Sequence, residues 1–150
     1  MAFQKLSLKG RALRLLAQRE HSRAELASKL ARHVEEDDDL EAVLHDLQAK
    51  GFIDEARVAE SLVHRRAARL GTQRLVQELR QKGIDDALIA AVMDEFSTER
   101  SETEENIRAI LERKYPMARE DEKVRRRAVA ALQRYGYGFD EIFSVLNSEE

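Results

Sequence analysis

The sequence predicts an all-α protein built from three tandem trihelical repeats, and three observations carry that expectation. Ala, Leu, Glu and Arg, which are good helix formers, outweigh Val, Ile and Thr, and the 150 residues contain one Pro. Apolar residues recur at spacings of 0, 3, 4 and 7, the mark of one buried helix face. The pattern also repeats at fixed offsets. Leu79, Ile89, Val92 and Met93 are matched 49 residues upstream by Leu30, Leu40, Val43 and Leu44, and 53 residues downstream by Leu132, Ile142, Val145 and Leu146. Each shift matches all four positions, so the helix pair occurs three times without an internal insertion.

In the first repeat, residues 1–52, the stripe Leu13, Leu16 and Ala17 predicts the opening helix. Ser22–Glu25 ("SRAE") reads as a capping box that starts the next, which runs to Leu30. The third carries Leu40, Val43 and Leu44. In the second repeat, residues 53–98, Asp54 is the expected N-cap of a helix with Ala59, Leu62 and Val63, and Thr72 that of a helix with Leu75, Val76 and Leu79. "KGID" then turns the chain into a helix with Ile89, Val92, Met93 and Phe96. In the third repeat, residues 99–150, Ser101–Glu104 is a second capping box, before Ile107, Ile110 and Leu111; the helices through Leu132 and Leu146 follow. Gly51, Gly83 and Gly136 suit the left-handed position that ends a helix. Val34 stands where Gly83 and Gly136 stand in the later copies. Neither helix of a pair can enclose a core alone, so each unit should bury its stripes internally and its remaining edges against a neighbour.

Hydrophobic residues make up 43% and charged residues 37% of the chain, enough for small cores beneath a densely charged surface. No run of about 18 apolar residues exists, so no membrane span is expected. The first residues lack a long apolar stretch and a small-residue cleavage site, and there is no Cys. A cytoplasmic protein without disulfides is the expectation. No phosphate-binding glycine loop and no dinucleotide fingerprint occur, and His21, His33, His45 and His64 are scattered without metal-ligand spacing. His21, just before a helix cap, is expected at the surface. Neither an enzyme nor a cofactor is expected.

Charge follows the repeat. Residues 5–33 hold 8 basic and 2 acidic side chains, and residues 34–55 hold 1 and 9; residues 57–83 hold 7 and 2, and residues 85–105 hold 1 and 8. The third repeat continues the alternation. The first two helices of every unit are basic and the third is acidic, which in part complements helix dipoles. It also allows a basic stripe across the units, with Arg57, Arg65, Arg66, Arg69, Arg74, Arg80 and Lys82 as candidates in the middle and Arg125, Arg126, Arg127 and Arg134 in the last. Such a stripe suits an anionic protein groove or a phosphate backbone. A helix-turn-helix that reads the major groove with its third helix is disfavoured, because Glu41, Asp85, Asp86, Asp94, Asp140 and Glu141 would meet phosphates.

"LLAQREHSRAELASKL" (Leu15–Leu30), "FIDEARVAESLVHRRAARLGTQRLVQELRQKGI" (Phe52–Ile84) and "ALQRYGYGFDEIFSVL" (Ala131–Leu146) resemble three successive signatures of the bacterial RecX regulatory proteins. Asp54, Arg57, Ala59, Gly71, Arg74, Leu79 and Gly83 fall in family positions. Arg134-Tyr135-Gly136-Tyr137 replaces the usual R-R-G-F, and Val58 stands where an aromatic residue is frequent. The resemblance implies an elongated, curved array that lies in the groove of the RecA–DNA filament, blocks its extension and reduces recombination, ATP hydrolysis and coprotease activity. It also implies a non-enzymatic protein whose partner is the RecA filament. A monomer with at most weak, sequence-nonspecific DNA contact is expected. Two other readings remain: a basic-face DNA-binding module acting without RecA, and a structural adaptor with no role at filaments.

Overall fold

A computed structural model describes residues 5–96 and 100–148, without the side chains of residues 100 and 101. Among the described residues there are nine α-helices and no strand. They are α1 (Leu8–Gln18), α2 (Arg23–Leu30), α3 (Leu40–Ala49), α4 (Glu55–Arg66), α5 (Thr72–Gln81), α6 (Asp86–Glu95), α7 (Arg100–Lys114), α8 (Glu122–Arg134) and α9 (Phe139–Leu146). A single 3₁₀ turn, Ala31–His33, follows α2.

All extensive helix packing falls within the triplets α1–α3, α4–α6 and α7–α9. Each triplet encloses its own core, centred on Leu26, Leu30 and Leu44, on Leu62, Leu79 and Ile89, and on Ile107, Leu132 and Ile142. The array is elongated. Its accessible surface is 10031 Å², against roughly 7,800 Å² for a compact chain of this mass.

The repeat anchors fall in equivalent places: Leu40, Val43 and Met93, with Val76 and Phe96, lie at the core edges, and the other predicted anchors of the second and third helices are inside. The opening helix is rotated from expectation. Leu8 and Ala12 are buried, Leu13, Leu15 and Leu16 pack at the edge, and Ala17 is exposed. "RALRLLA" satisfies the 0, 3, 4 spacing twice, as Leu13/Leu16/Ala17 and as Ala12/Leu15/Leu16. One residue of shift turns the helix by about 100°.

Caps start most helices. Ser22 and Glu25 form a reciprocal capping box, and Ser7, Asp39, Asp54, Asp85 and Asp121 each accept a backbone N–H in the first turn of their helices. Two expectations shift. Thr72 is the first helical residue and Gly71 the N-cap. Ser101 falls inside α7, and its side chain lies outside the described residues. Gly51, Gly83 and Gly136 have φ of +82°, +80° and +95°, as expected.

Candidate interaction surface

The units join by one repeated contact, in which the start of a second helix meets the end of the next unit's second helix. At the seam between the first and second units, the Ser22 hydroxyl donates to the Lys82 carbonyl at 2.6 Å. At the seam between the second and third, the Gly71 N–H donates to the Tyr135 carbonyl at 2.7 Å. Ser22 and Gly71 are both N-caps; Lys82 and Tyr135 are both C-caps. The glycine after each C-cap therefore has a second role besides its positive φ. A Cβ on Gly83 would lie 2.5 Å from the Ala24 Cβ, and one on Gly136 would lie 2.3 Å from the Arg74 backbone nitrogen. Val34, in the corresponding place of the first unit, is 40% exposed with ordinary negative φ.

Ion pairs reinforce the first seam. Lys82 meets Glu25 at 3.2 Å, and Arg57 meets Glu20 at 2.9 Å. The Arg23 N–H donates to Glu55 at 2.7 Å. Burial alone would raise the Glu25 pKa. The Ser22 N–H, Arg19 and Lys82 outweigh it and hold the carboxyl at about 2. His21 is buried at 1% exposure, a correction to its expected surface position. It sits under the α1–α2 connection, its Nδ1 3.0 Å from the Arg19 carbonyl and its Nε2 3.1 Å from Lys29. A neutral ring that donates through Nδ1 and accepts through Nε2 satisfies both contacts. Burial, with Arg19 and Lys29 close by, lowers its pKa against the pull of the Arg19 carbonyl.

The two shifts make the first unit (through His21) and its seam with the second (through Glu25) acid-sensitive, in separate windows. His21 is more basic in the unfolded chain, so stability begins to fall as pH drops through 6.5. Glu25 is more acidic in the folded chain. Its contribution is complete above 4.5 and is lost as pH falls from there toward 2. Thermal melts across this range should show two steps. Glu25→Gln should remove the lower step and cost on the order of 2 kcal/mol at neutral pH, after allowance for solvent screening. An unchanged lower step in that variant would contradict the assignment.

The second seam opens into a cleft of ≈ 600 Å³ lined by Arg66, Arg69 and Arg74 from the second unit and by Arg113, Lys114 and Arg134 from the third, with Leu70, Ile110 and Tyr135 between them. No carboxylate lines it. Arg66 is backed by Glu78 at 2.8 Å, Arg74 bonds to the neutral Gln77, and Lys114 donates to the Tyr135 hydroxyl at 3.1 Å. Arg69, Arg113 and Arg134 make no ion pair with the described residues. The lining thus concentrates positive charge in a protein of net charge −3.

The other candidate cations are dispersed. Arg57 and Lys82 are engaged in the first seam, and Arg65 lines a small space there of ≈ 180 Å³. Arg80 pairs with Asp86. Arg125 donates to Asn147 and lies over the Phe143 ring, and Arg126 pairs with Glu122. Arg127 is exposed on α8, two turns before Arg134 and on the same face. The structure therefore brings Arg66, Arg69, Arg74 and Arg134 together and adds Arg113 and Lys114, which block-by-block charge counting does not single out. Among the described residues no cluster of His, Asp and Glu suits a metal ion. No described helix is long and apolar enough to cross a membrane.

Three trihelical units, each with its own core and joined to the next by one repeated contact, define a helical-repeat protein. Family models for RecX match throughout: the first three-helix domain over residues 9–52, the second over 54–93 and the third over 102–146. The chain belongs to the RecX family. It is 42% identical to the regulatory protein RecX of Herminiimonas arsenicoxydans, with 100% of this chain and 97% of the relative covered. It is 45% identical to that of Leptothrix cholodnii, with 94% and 88% covered. The fold matches a crystal structure of RecX from Lactobacillus salivarius with a TM-score of 0.75 at 20% identity, covering 93% of this chain and 92% of that one.

Proposed function

We propose that the protein modulates, mainly by inhibition, the recombinase, ATPase and coprotease activities of RecA, lying in the groove of the RecA–DNA filament and blocking its extension. One observation carries this reading beyond family membership: the carboxylate-free cationic cleft at the second seam of an elongated array. A helical groove offers many weak anionic contacts spaced along its length. An array of similar units that gathers charge at its seams engages several at once, so modest contacts multiply. The acidic third helices, which carry exposed Asp94 and Asp140, face other surroundings. The partner is the filament and the protein acts as a monomer, without catalysis or cofactor of its own.

Co-sedimentation with RecA filaments, with the same DNA alone as control, tests the proposal. Arg69→Glu, Arg113→Glu and Arg134→Glu together should weaken filament binding and inhibition of RecA ATP hydrolysis by about tenfold or more, without unfolding the protein. Reversal of Arg125, Arg126 and Arg127, or of Arg65, Arg66 and Arg69, should act in the same direction. Added salt should mimic all three, since exposed charges are screened over about 8 Å at physiological ionic strength. Asp94→Lys should matter least. Normal inhibition by the basic variants, with only bare-DNA binding reduced, would instead favour a sequence-nonspecific DNA-binding module that acts without RecA.

A further inference from the structure

The two seams are copies of one construction with one change of sign. The offset of 49 residues that carries Ser22 onto Gly71 carries Glu25 onto Arg74, both at the third position of their helices. The offset of 53 carries Lys82 onto Tyr135, and an offset of 47 carries Ala12 onto Ala59 and Arg19 onto Arg66. Arg65 of the second unit likewise precedes Arg113 of the third by 48. The small space at the first seam, whose lining includes Arg19, Arg65 and Lys82 together with the Glu20 carboxylate, is thus the counterpart of the large cleft at the second. At the first seam the Glu25 carboxylate bridges the units, 3.0 Å from Arg19 on one side and 3.2 Å from Lys82 on the other. At the second seam no ion pair between described residues crosses, and Arg74 adds a cation where the carboxylate would be.

We propose that the second-seam cleft takes its missing carboxylate from an acidic protein segment, and that this carboxylate clamps the third unit to the second as Glu25 clamps the second to the first. The inference rests on the filament reading, in which the filament protein presents that segment. A carboxylate is favoured over a phosphodiester because the chain itself uses a carboxylate at the equivalent point. Five of the six lining cations are arginines, whose planar forks donate two parallel N–H bonds to the two oxygens of one carboxylate. Without a ligand, cations from both units face one another across the seam, so a bound anion relieves repulsion as well as forming bonds.

The test uses the full chain, a fluorescent hexaglutamate peptide, and an oligothymidylate of equal formal charge as competitor. Hexaglutamate should bind and raise the thermal midpoint. Arg74→Gln and Arg113→Gln should each weaken peptide binding by about tenfold. Arg74→Glu supplies the carboxylate internally, so it should abolish peptide binding and raise the peptide-free midpoint. Peptide affinity unaffected by both glutamine variants would overturn the proposal, and so would an Arg74→Glu chain that binds peptide normally. Tighter, Arg74-dependent binding of the oligothymidylate would also overturn it and assign the cleft to a phosphate backbone. Hexaglutamate binding as described, with no sedimentation on RecA filaments, would leave the clamp standing and remove the filament reading.

Discussion

Gly136→Val is expected to cost more than about 3 kcal/mol and to release the third unit from the second. Two effects add at this position. The backbone has φ of +95°, where a β-branched residue is strained. The new Cβ would also fall 2.3 Å from the Arg74 nitrogen and 2.4 Å from its Cβ. The nitrogen and the Cβ are fixed to the first turn of α5, so no side-chain rotation relieves the clash. Gly71 closes the contact from the other side, because a Cβ there would meet the Gly136 carbonyl at 2.4 Å. Gly51→Val separates the terms. Its φ is +82°, but nothing lies within 4 Å of the added carbon, so only the backbone strain of about 1–2 kcal/mol remains. Gly83→Val should fall between, since its obstacle is the Ala24 methyl. Thermal melts of the three variants, with limited proteolysis to detect a freed third unit, give the order. Equal melting of Gly136→Val and Gly51→Val would remove the close-packing argument.

Local signals carry furthest in this sequence. Ser22–Glu25 is a capping box because its two partners are three residues apart, and Leu79, Ile89 and Val92 are buried because their stripe admits one register. The stripe at Leu13 admits two, and packing decides between them. His21 shows the limit more sharply, because only the fold closes the α1–α2 connection over the ring. Charge is legible as a block but not as a surface. Lys82, Arg80 and Arg126 look as basic as Arg69 and Arg134. The first is neutralised by Glu25, 57 residues away, and the others by Asp86 and Glu122, and only the fold shows which cations stay unpaired. Arg113 and Lys114 join the cleft because α7 ends beside α4. A signal for them existed in the repeat itself, since Arg113 lies 48 residues after Arg65 and Arg74 lies 49 after Glu25.

Leu79→Ala should be the most damaging of the core truncations, at about 2–5 kcal/mol. Leu30 and Leu132 occupy the matching places in the outer units and are as deeply buried, at 1% and 0% exposure against 0% for Leu79. Transfer and cavity terms alone would make the three equal. The difference lies in what α5 connects. Its N-terminal end presents Gly71 and Arg74 to the third unit, and its C-terminal end presents Lys82 and Gly83 to the first. Loosening α5 therefore weakens two seams, whereas α2 and α8 each serve one. In a linear array, stability is the sum of unit and interface contributions, so the central unit carries two interface contributions and each outer unit one. Hydrogen exchange can follow both seams in a single sample. The Gly71 amide donates to Tyr135 across the second, and the Arg23 amide donates to Glu55 across the first. Leu79→Ala should accelerate exchange at both amides. Leu30→Ala should act mainly on Arg23 and Leu132→Ala mainly on Gly71. Equal losses of stability in all three, with exchange rising uniformly, would mean that the chain unfolds as one cooperative block and that α5 has no special place in it.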